Sequence, residues 1–131
     1  MTHRELVELA FAMHERSYVP YSNFPVGAAL LCADGTVFTG CNVENAAFGS
    51  TICAERTALV KAVSEGHRDD WVVLAVAGKG ADYCWPCGSC RQMLYEFCPE
   101  LTVLAARGDG EFVTVPLHEL LPCGFGPKSL D

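Results

Sequence analysis

Leu6, Leu9, Ala10 and Met13 recur at helical spacing, and Thr2-x-x-Glu5 ahead of them has the form of a capping box. This pattern predicts a first helix ending near Arg16. The segment SYVPYSNFP that follows is broken by Pro20 and Pro25 and reads as a loop. VGAALLC and TVFTGCN then flank Ala33-Asp34-Gly35, a hairpin signal. Gly49-Ser50-Thr51 leads into ICAERTALVKAVSEG, a helix that Ser50 or Thr51 can cap and Gly66 can close. WVVLAVAG is apolar almost throughout, as expected of a strand covered on both faces. Pro86 precedes CGSCRQMLYEF, a further helix, since Pro is favoured at helix entries. LTVLAA and EFVTV read as short strands, and Pro116–Leu121 as a brief helix before the tail PCGFGPKSLD. The order αββαβαββα predicts an α/β fold, a three-layer sandwich with helices flanking a mixed five-stranded sheet. No repeat, low-complexity tract or linker divides the chain, so residues 1–131 read as a single domain.

Composition narrows the classes. With 131 residues, 50% hydrophobic and 19% charged, the chain can build a core without covalent staples and is not a disordered segment. No apolar run approaches the roughly 20 residues of a membrane span. Glu5, Glu8 and Glu15 interrupt what would be the apolar core of an export signal, so a cytoplasmic location is expected. The formal net charge is −7 with no basic run, which excludes long nucleic acid and leaves room for a small neutral ligand. Eight cysteines in such a chain, expected in a reducing compartment, point to metal ligands or catalytic groups before disulfides.

The cysteines have a pattern. YCWPCGSCRQ (83–92) contains two overlapping CxxC pairs, Cys84/Cys87 and Cys87/Cys90. Cys87 and Cys90 stand at a predicted helix start, three apart on one face, and Cys53 stands at the start of a different predicted helix. Helix N-termini favour thiolate over thiol. Cys53, Cys87 and Cys90 can therefore form a three-thiolate zinc site with a fourth position open, the catalytic arrangement. Glu55, two residues after Cys53, could reach a metal-bound water and pass protons without binding the metal. Zinc deaminases combine a non-ligating Glu with a PCxxC segment and accept a three-Cys ligand set.

With CNVEN (41–45), CAERTAL (53–59), PCGSCRQ (86–92) and LLPCGFGP (120–127), nearly the whole chain resembles the small homotetrameric cytidine deaminases. The resemblance implies hydrolysis of cytidine and deoxycytidine to uridine and deoxyuridine with release of ammonia. It implies zinc held by Cys53, Cys87 and Cys90, with Glu55 as proton shuttle and Arg56 offsetting the thiolate charge from beside the ligands. It assigns substrate binding to Asn42, Val43, Glu44, Ala54 and Phe24, with Asn42 and Glu44 on the 3′-hydroxyl side of the sugar. A carboxylate there would repel a phosphate and favour nucleosides over nucleotides. Phe24 matches an aromatic that packs on the pyrimidine, and Phe125 a residue lent across a subunit interface, so that a homotetramer would complete each site. Two positions depart from the pattern: Phe48 stands where relatives often have Tyr, and Cys84-Trp85 where many have Ser before PCxxC.

Three other readings compete. A structural zinc module would need a fourth ligand from Cys84, Cys32, Cys41 or Cys98. A thiol oxidoreductase would use Cys84-Trp85-Pro86-Cys87, although Pro86 sets the helix opening at Cys87 and leaves Cys84 spare. A deaminase of another cytosine nucleoside, such as a nucleoside antibiotic, is the nearest alternative. His3, His14, His67 and His118 show no paired spacing and read as surface or helix-end residues. Cys32, Cys41, Cys98 and Cys123 read as small apolar residues, and Met93 and Leu94 as core.

Overall fold

The computed structural model describes residues 1–131. Strands β1 (Val26–Cys32), β2 (Val37–Cys41), β3 (Trp71–Gly78), β4 (Thr102–Ala106) and β5 (Phe112–Pro116) form one sheet in the order β2-β1-β3-β4-β5. Only β3 and β4 pair in parallel; β1–β2, β1–β3 and β4–β5 are antiparallel. The helices are α1 (His3–Ala12), α2 (Ala54–Ser64), α3 (Gly88–Phe97) and α4 (Leu117–Leu120).

The apolar run of β3 splits by period two. Val73, Ala75 and Ala77 join Leu6, Val7 and Ala10 of α1 on one face, while Leu74 and Val76 join Ala54, Ala58 and Leu59 of α2 and Leu94 of α3 on the other. A strand buried on both faces needs no polar alternation, hence the continuous run. The expected three layers are thus present: α1, the sheet, then α2 with α3.

Several local expectations shift. α1 is α-helical only to Ala12, and Met13–Arg16 is a 3₁₀ turn; the Thr2/Glu5 capping box is formed as read. Neither Ser50 nor Thr51 caps α2. Ser50 ends a short 3₁₀ turn, Ile52 is bridged to Val43, and Cys53 is the N-cap. Pro86 lies just ahead of the N-cap Cys87, as read. Leu94 is fully buried and Met93 only half-buried. Cys123 is exposed with φ 56°, so it is not a core residue.

Topology decides what happens at one end of the sheet. β2 and β3 are both antiparallel to β1, so they run in the same direction. The chain leaves the C-terminal end of β2 to reach α2, and the C-terminal end of β3 to reach α3. Both helices return across the same sheet face, so their first turns lie at the same end, beyond the carboxyl ends of the strands. Gly40 lets α2 come close: a methyl group there would sit 2.3 Å from the Ala54 carbonyl oxygen.

Candidate metal centre

The N-cap positions of α2 and α3 are both cysteines, Cys53 and Cys87, and neither side chain is spent on a capping hydrogen bond. Cys90 is N3 of α3. In a helix start the N-cap and N3 side chains face each other, the relation a capping box uses. Here it brings Cys87 Sγ to 3.4 Å from Cys90 Sγ. In α2 the residue at N3 is Arg56, and its Nη2 lies 3.5 Å from Cys53 Sγ. The two helix starts then face each other, with Cys53 Sγ 4.0 Å from Cys87 Sγ and all three sulfurs within 4.8 Å of one another.

This spacing can be tested against a cation. Thiolates bound tetrahedrally to zinc at about 2.3 Å lie roughly 3.8 Å apart, and the two separations, 3.4 and 4.0 Å, bracket that distance. The charges fit as well. Donation from Cys90, opposed by burial and helped by Arg56, lowers the Cys53 thiol to about 5. The bond to Cys53 then pushes Cys90 the other way. Three sulfurs this close cannot all ionise alone, and a dication resolves the conflict. Arg56 adds a fixed positive charge, with its Nε buried and unpartnered beside the sulfurs.

Glu55, at N2 of α2, is 5% exposed and is the only charged residue among the buried set. Burial, reinforced by the Cys53 thiolate, raises its carboxyl to about 7. A carboxyl poised there can accept and return a proton near neutral pH. Cys84 stays outside the sulfur group. It packs over Gly78, where a methyl would meet Cys84 Sγ at 3.0 Å and the Phe24 ring at 3.4 Å. Burial, with Glu55 nearby, holds the Cys84 thiol up at about 11. The other cysteines weighed as a fourth ligand also lie elsewhere: Cys41 Sγ faces the Arg16 carbonyl, Cys98 Sγ faces the Trp71 carbonyl, and Cys32 closes β1.

The segment after β2 has a scaffold role in addition to any contact with a ligand. Asn42 Oδ1 accepts from Val26 N at 2.9 Å and its Nδ2 donates to the Phe24 carbonyl at 2.9 Å. Glu44 accepts from Tyr21 N, Ser22 N and Ser22 Oγ, which lowers its pKa chiefly through the serine hydroxyl. Asn42 and Glu44 thus hold loop 18–25 in the shape that sets Phe24 over Gly78 and Gly80. A cavity of about 320 Å³ opens beside Glu44, lined by Tyr21, Ser22, Phe48 and Thr51. Val43 is exposed, and Ala54 is fully buried in the first turn of α2. Phe125 is in the tail, 58% exposed, its carbonyl held by Gln92 Nε2 at 2.7 Å. A larger cavity, about 660 Å³, lies against the tail between Tyr95 and Lys128 and holds none of the cysteines.

Sequence reasoning missed two supports. Ser22 carries no signal of its own and matters because Glu44 folds onto it. Arg91 sits inside PCGSCRQ and bonds the carbonyls of Pro86 and Leu120 at 2.7 and 2.9 Å, clamping the cysteine loop to the start of the tail. Its place one turn beyond the N-cap Cys87 was the available clue.

The profile of the family described as the cytidine and deoxycytidylate deaminase zinc-binding region matches residues 1–106. A cytidine deaminase of Halalkalibacterium halodurans is 46% identical over 132 aligned residues, covering 100% of this chain and 99% of that protein. Among solved structures, a cytidine deaminase from Burkholderia pseudomallei is 46% identical and superposes with a TM-score of 0.92, over 95% of this chain and 100% of the other. One from Mycobacterium tuberculosis, 37% identical, gives a TM-score of 0.83 over 96% and 98%.

Proposed function

The chain belongs to the zinc-binding cytidine and deoxycytidylate deaminase family, and from that premise we propose that it hydrolyses cytidine and deoxycytidine to uridine and deoxyuridine, releasing ammonia. One observation carries the reading: three cysteine sulfurs gather at zinc-ligand spacing around two helix starts, with a buried glutamate between two of their neighbours, Ala54 and Arg56.

Cys53, Cys87 and Cys90 would hold the zinc. Bound there, the ion supplies a more acidic water and a polarising charge. Glu55 takes a proton from the attacking water and gives one to N3 of the pyrimidine, which makes C4 electrophilic. Water oxygen bonds to C4, and the same carboxyl then takes the remaining proton from that oxygen and delivers it to the exocyclic amine. The C4–N bond breaks and ammonia leaves. One carboxyl suffices because every transfer takes place around one tetrahedral carbon. Its raised pKa supports this use, since a group near 7 exchanges protons in both directions.

Arg56 offsets the negative charge of the three thiolates, a role supported by its contact with Cys53. Asn42 and Glu44 hold the 3′-hydroxyl side of the sugar, Val43 and Ala54 belong to the same substrate-binding set, and Phe24 packs on the base. The assembly is a homotetramer in which Phe125 reaches a neighbouring subunit's pocket. Large apolar side chains left open to solvent, Phe125 at 58% and Phe48 at 73%, support that reading. No helix is long and apolar enough to cross a membrane, and we place its action in the cytoplasm, where its free thiols stay reduced.

An ultraviolet assay with cytidine tests the proposal, run before and after chelation and with Glu55→Ala. Turnover is expected to fall on metal removal and by at least ~10²–10⁴-fold in the variant. Activity that survives the Glu55 change overturns the mechanism.

A further inference from the structure

At the opposite end of the sheet, where β1 ends and β3 begins, a sulfur, an imidazole nitrogen and a carboxylate oxygen converge. We propose that Cys32, His67 and Asp70 form a second metal site, for a borderline-soft divalent cation of the zinc class. Their ligand atoms all lie within 4.8 Å of one another. A thiolate, an imidazole and a carboxylate form a donor set that zinc accepts and that the harder magnesium and calcium ions do not favour.

Hydrogen bonds of the backbone hold the three positions in place. Cys32 is the last residue of β1, opposite Trp71 of β3, and its N–H donates to the Thr36 carbonyl at 2.8 Å. His67 N donates to the Ala62 carbonyl, and the His67 carbonyl accepts from Trp71 Nε1 at 2.8 Å. The Asp70 carbonyl accepts from Ala33 N at 2.8 Å. The Phe38 ring packs on the imidazole with centroids 5.3 Å apart and fixes its plane. Sites held by such supports are organised before the ligand arrives.

The side chains point to a cation independently of their proximity. Asp70 Oδ1 is buried and receives no N–H or O–H hydrogen bond, its carboxylate having only the weak Cys32 thiol as a further donor. An unmet acceptor of this kind costs about 1–3 kcal/mol or more when charged, and a metal ion would satisfy it. The imidazole is flanked on both sides: Nδ1 lies 2.8 Å from Asp70 Oδ2, and Nε2 lies 3.8 Å from Asp34 Oδ2. A carboxylate facing the second nitrogen is the usual partner of a metal-bound histidine, because it holds the proton there and leaves the first lone pair free. In the structure Nδ1–H donates to Asp70 Oδ2 and Nε2 stands beyond hydrogen-bond range of Asp34, so ligation through Nδ1 requires the proton to move to Nε2 and Asp34 to close on it. Zinc bonds near 2.0–2.1 Å place tetrahedral N and O ligands about 3.4 Å apart, so ligation requires a small opening of the His67–Asp70 pair. The bound ion would tie the end of β1 to the α2–β3 connection, far from the reaction.

Cobalt(II) titrated into the full-length zinc-loaded protein tests this. The wild type is expected to gain a thiolate-to-cobalt charge-transfer band and one metal equivalent more than Cys32→Ser, measured by elemental analysis at equilibrium with free metal. His67→Gln should lose the same equivalent while keeping Cys32. Cytidine turnover and far-ultraviolet circular dichroism should match the wild type in both variants. If Cys32→Ser lowers the folded fraction, Asp70→Asn, which preserves volume, carries the same comparison. Equal stoichiometry and equal spectra in the wild type and the variants would overturn the proposal. Because the readout is a difference between proteins that all retain Cys53, Cys87 and Cys90, it does not depend on the first site being occupied as proposed.

Discussion

Cys53 and Cys87 cap two different helices, and their sulfurs lie 4.0 Å apart. Each sits where a serine, threonine or aspartate would ordinarily bond the helix's first N–H groups. Here the helix ends instead offer partial positive charge to thiolates. The residues at N3, Cys90 in one helix and Arg56 in the other, complete the cluster through the same local geometry.

Arg56→Gln removes the guanidinium beside Cys53 Sγ. The thiolates then place more negative charge at the metal, and its water becomes less acidic. The expected result is a ~10–100-fold loss in kcat with the acid limb of the pH–rate profile moved to higher pH. A profile and turnover identical to the wild type would remove the role assigned to Arg56.

Cys84→Ser separates catalysis from a four-cysteine structural site. Cys84 packs over Gly78, and burial keeps its thiol protonated. Metal content should match the wild type and turnover should change little, because Cys84 stands outside the group of three sulfurs. Loss of metal would make Cys84 a ligand.

Gly40→Ala links packing to chemistry. The added methyl would lie 2.3 Å from the Ala54 carbonyl oxygen and 2.6 Å from Ala58 N, both backbone atoms of α2. Relief requires α2 to move, and with it Cys53 and Glu55. A destabilisation of about 1–3 kcal/mol is expected, with kcat reduced in the protein that remains folded. Gly49→Ala serves as the control, since nothing lies within 4 Å of a methyl there. Equal melting temperatures and turnover for the two variants would show that α2 can shift without harm.

Glu44→Gln weakens the acceptor that holds Ser22 and, on the proposed reading, the sugar. Hydrogen bonds to charged groups contribute about 1.5–3 kcal/mol, so KM for cytidine should rise by at least ~10-fold while kcat changes less. Discrimination against cytidine monophosphate should narrow as the carboxylate charge goes. Steady-state kinetics on both substrates reads both effects.

The five strands and four α-helices were readable because each carries a local signal: a period-two run split between two covered faces, a capping box at Thr2 and Glu5, a turn at Ala33–Gly35, and Pro86 ahead of a helix. The helix facing of Cys87 and Cys90 was equally local, a matter of three residues in one turn. The capping of α2 misled, because Ser50 and Thr51 have the stronger intrinsic preference. Only the bridge between Ile52 and Val43, which draws the chain into extended form, moves the cap to Cys53. The meeting of Cys53 with Cys87 is not local at all. It depends on β2 and β3 running in the same direction on either side of β1, which sends α2 and α3 back across one face with their N-termini together. The Cys32–His67–Asp70 group has the same origin, since it joins a strand end to a later loop that no spacing rule connects. Short-range sterics and hydrophobic period are written residue by residue, so the chain alone determines its elements. Proximity between residues far apart in sequence belongs to the packed sheet, so tertiary structure alone decides which side chains share a site.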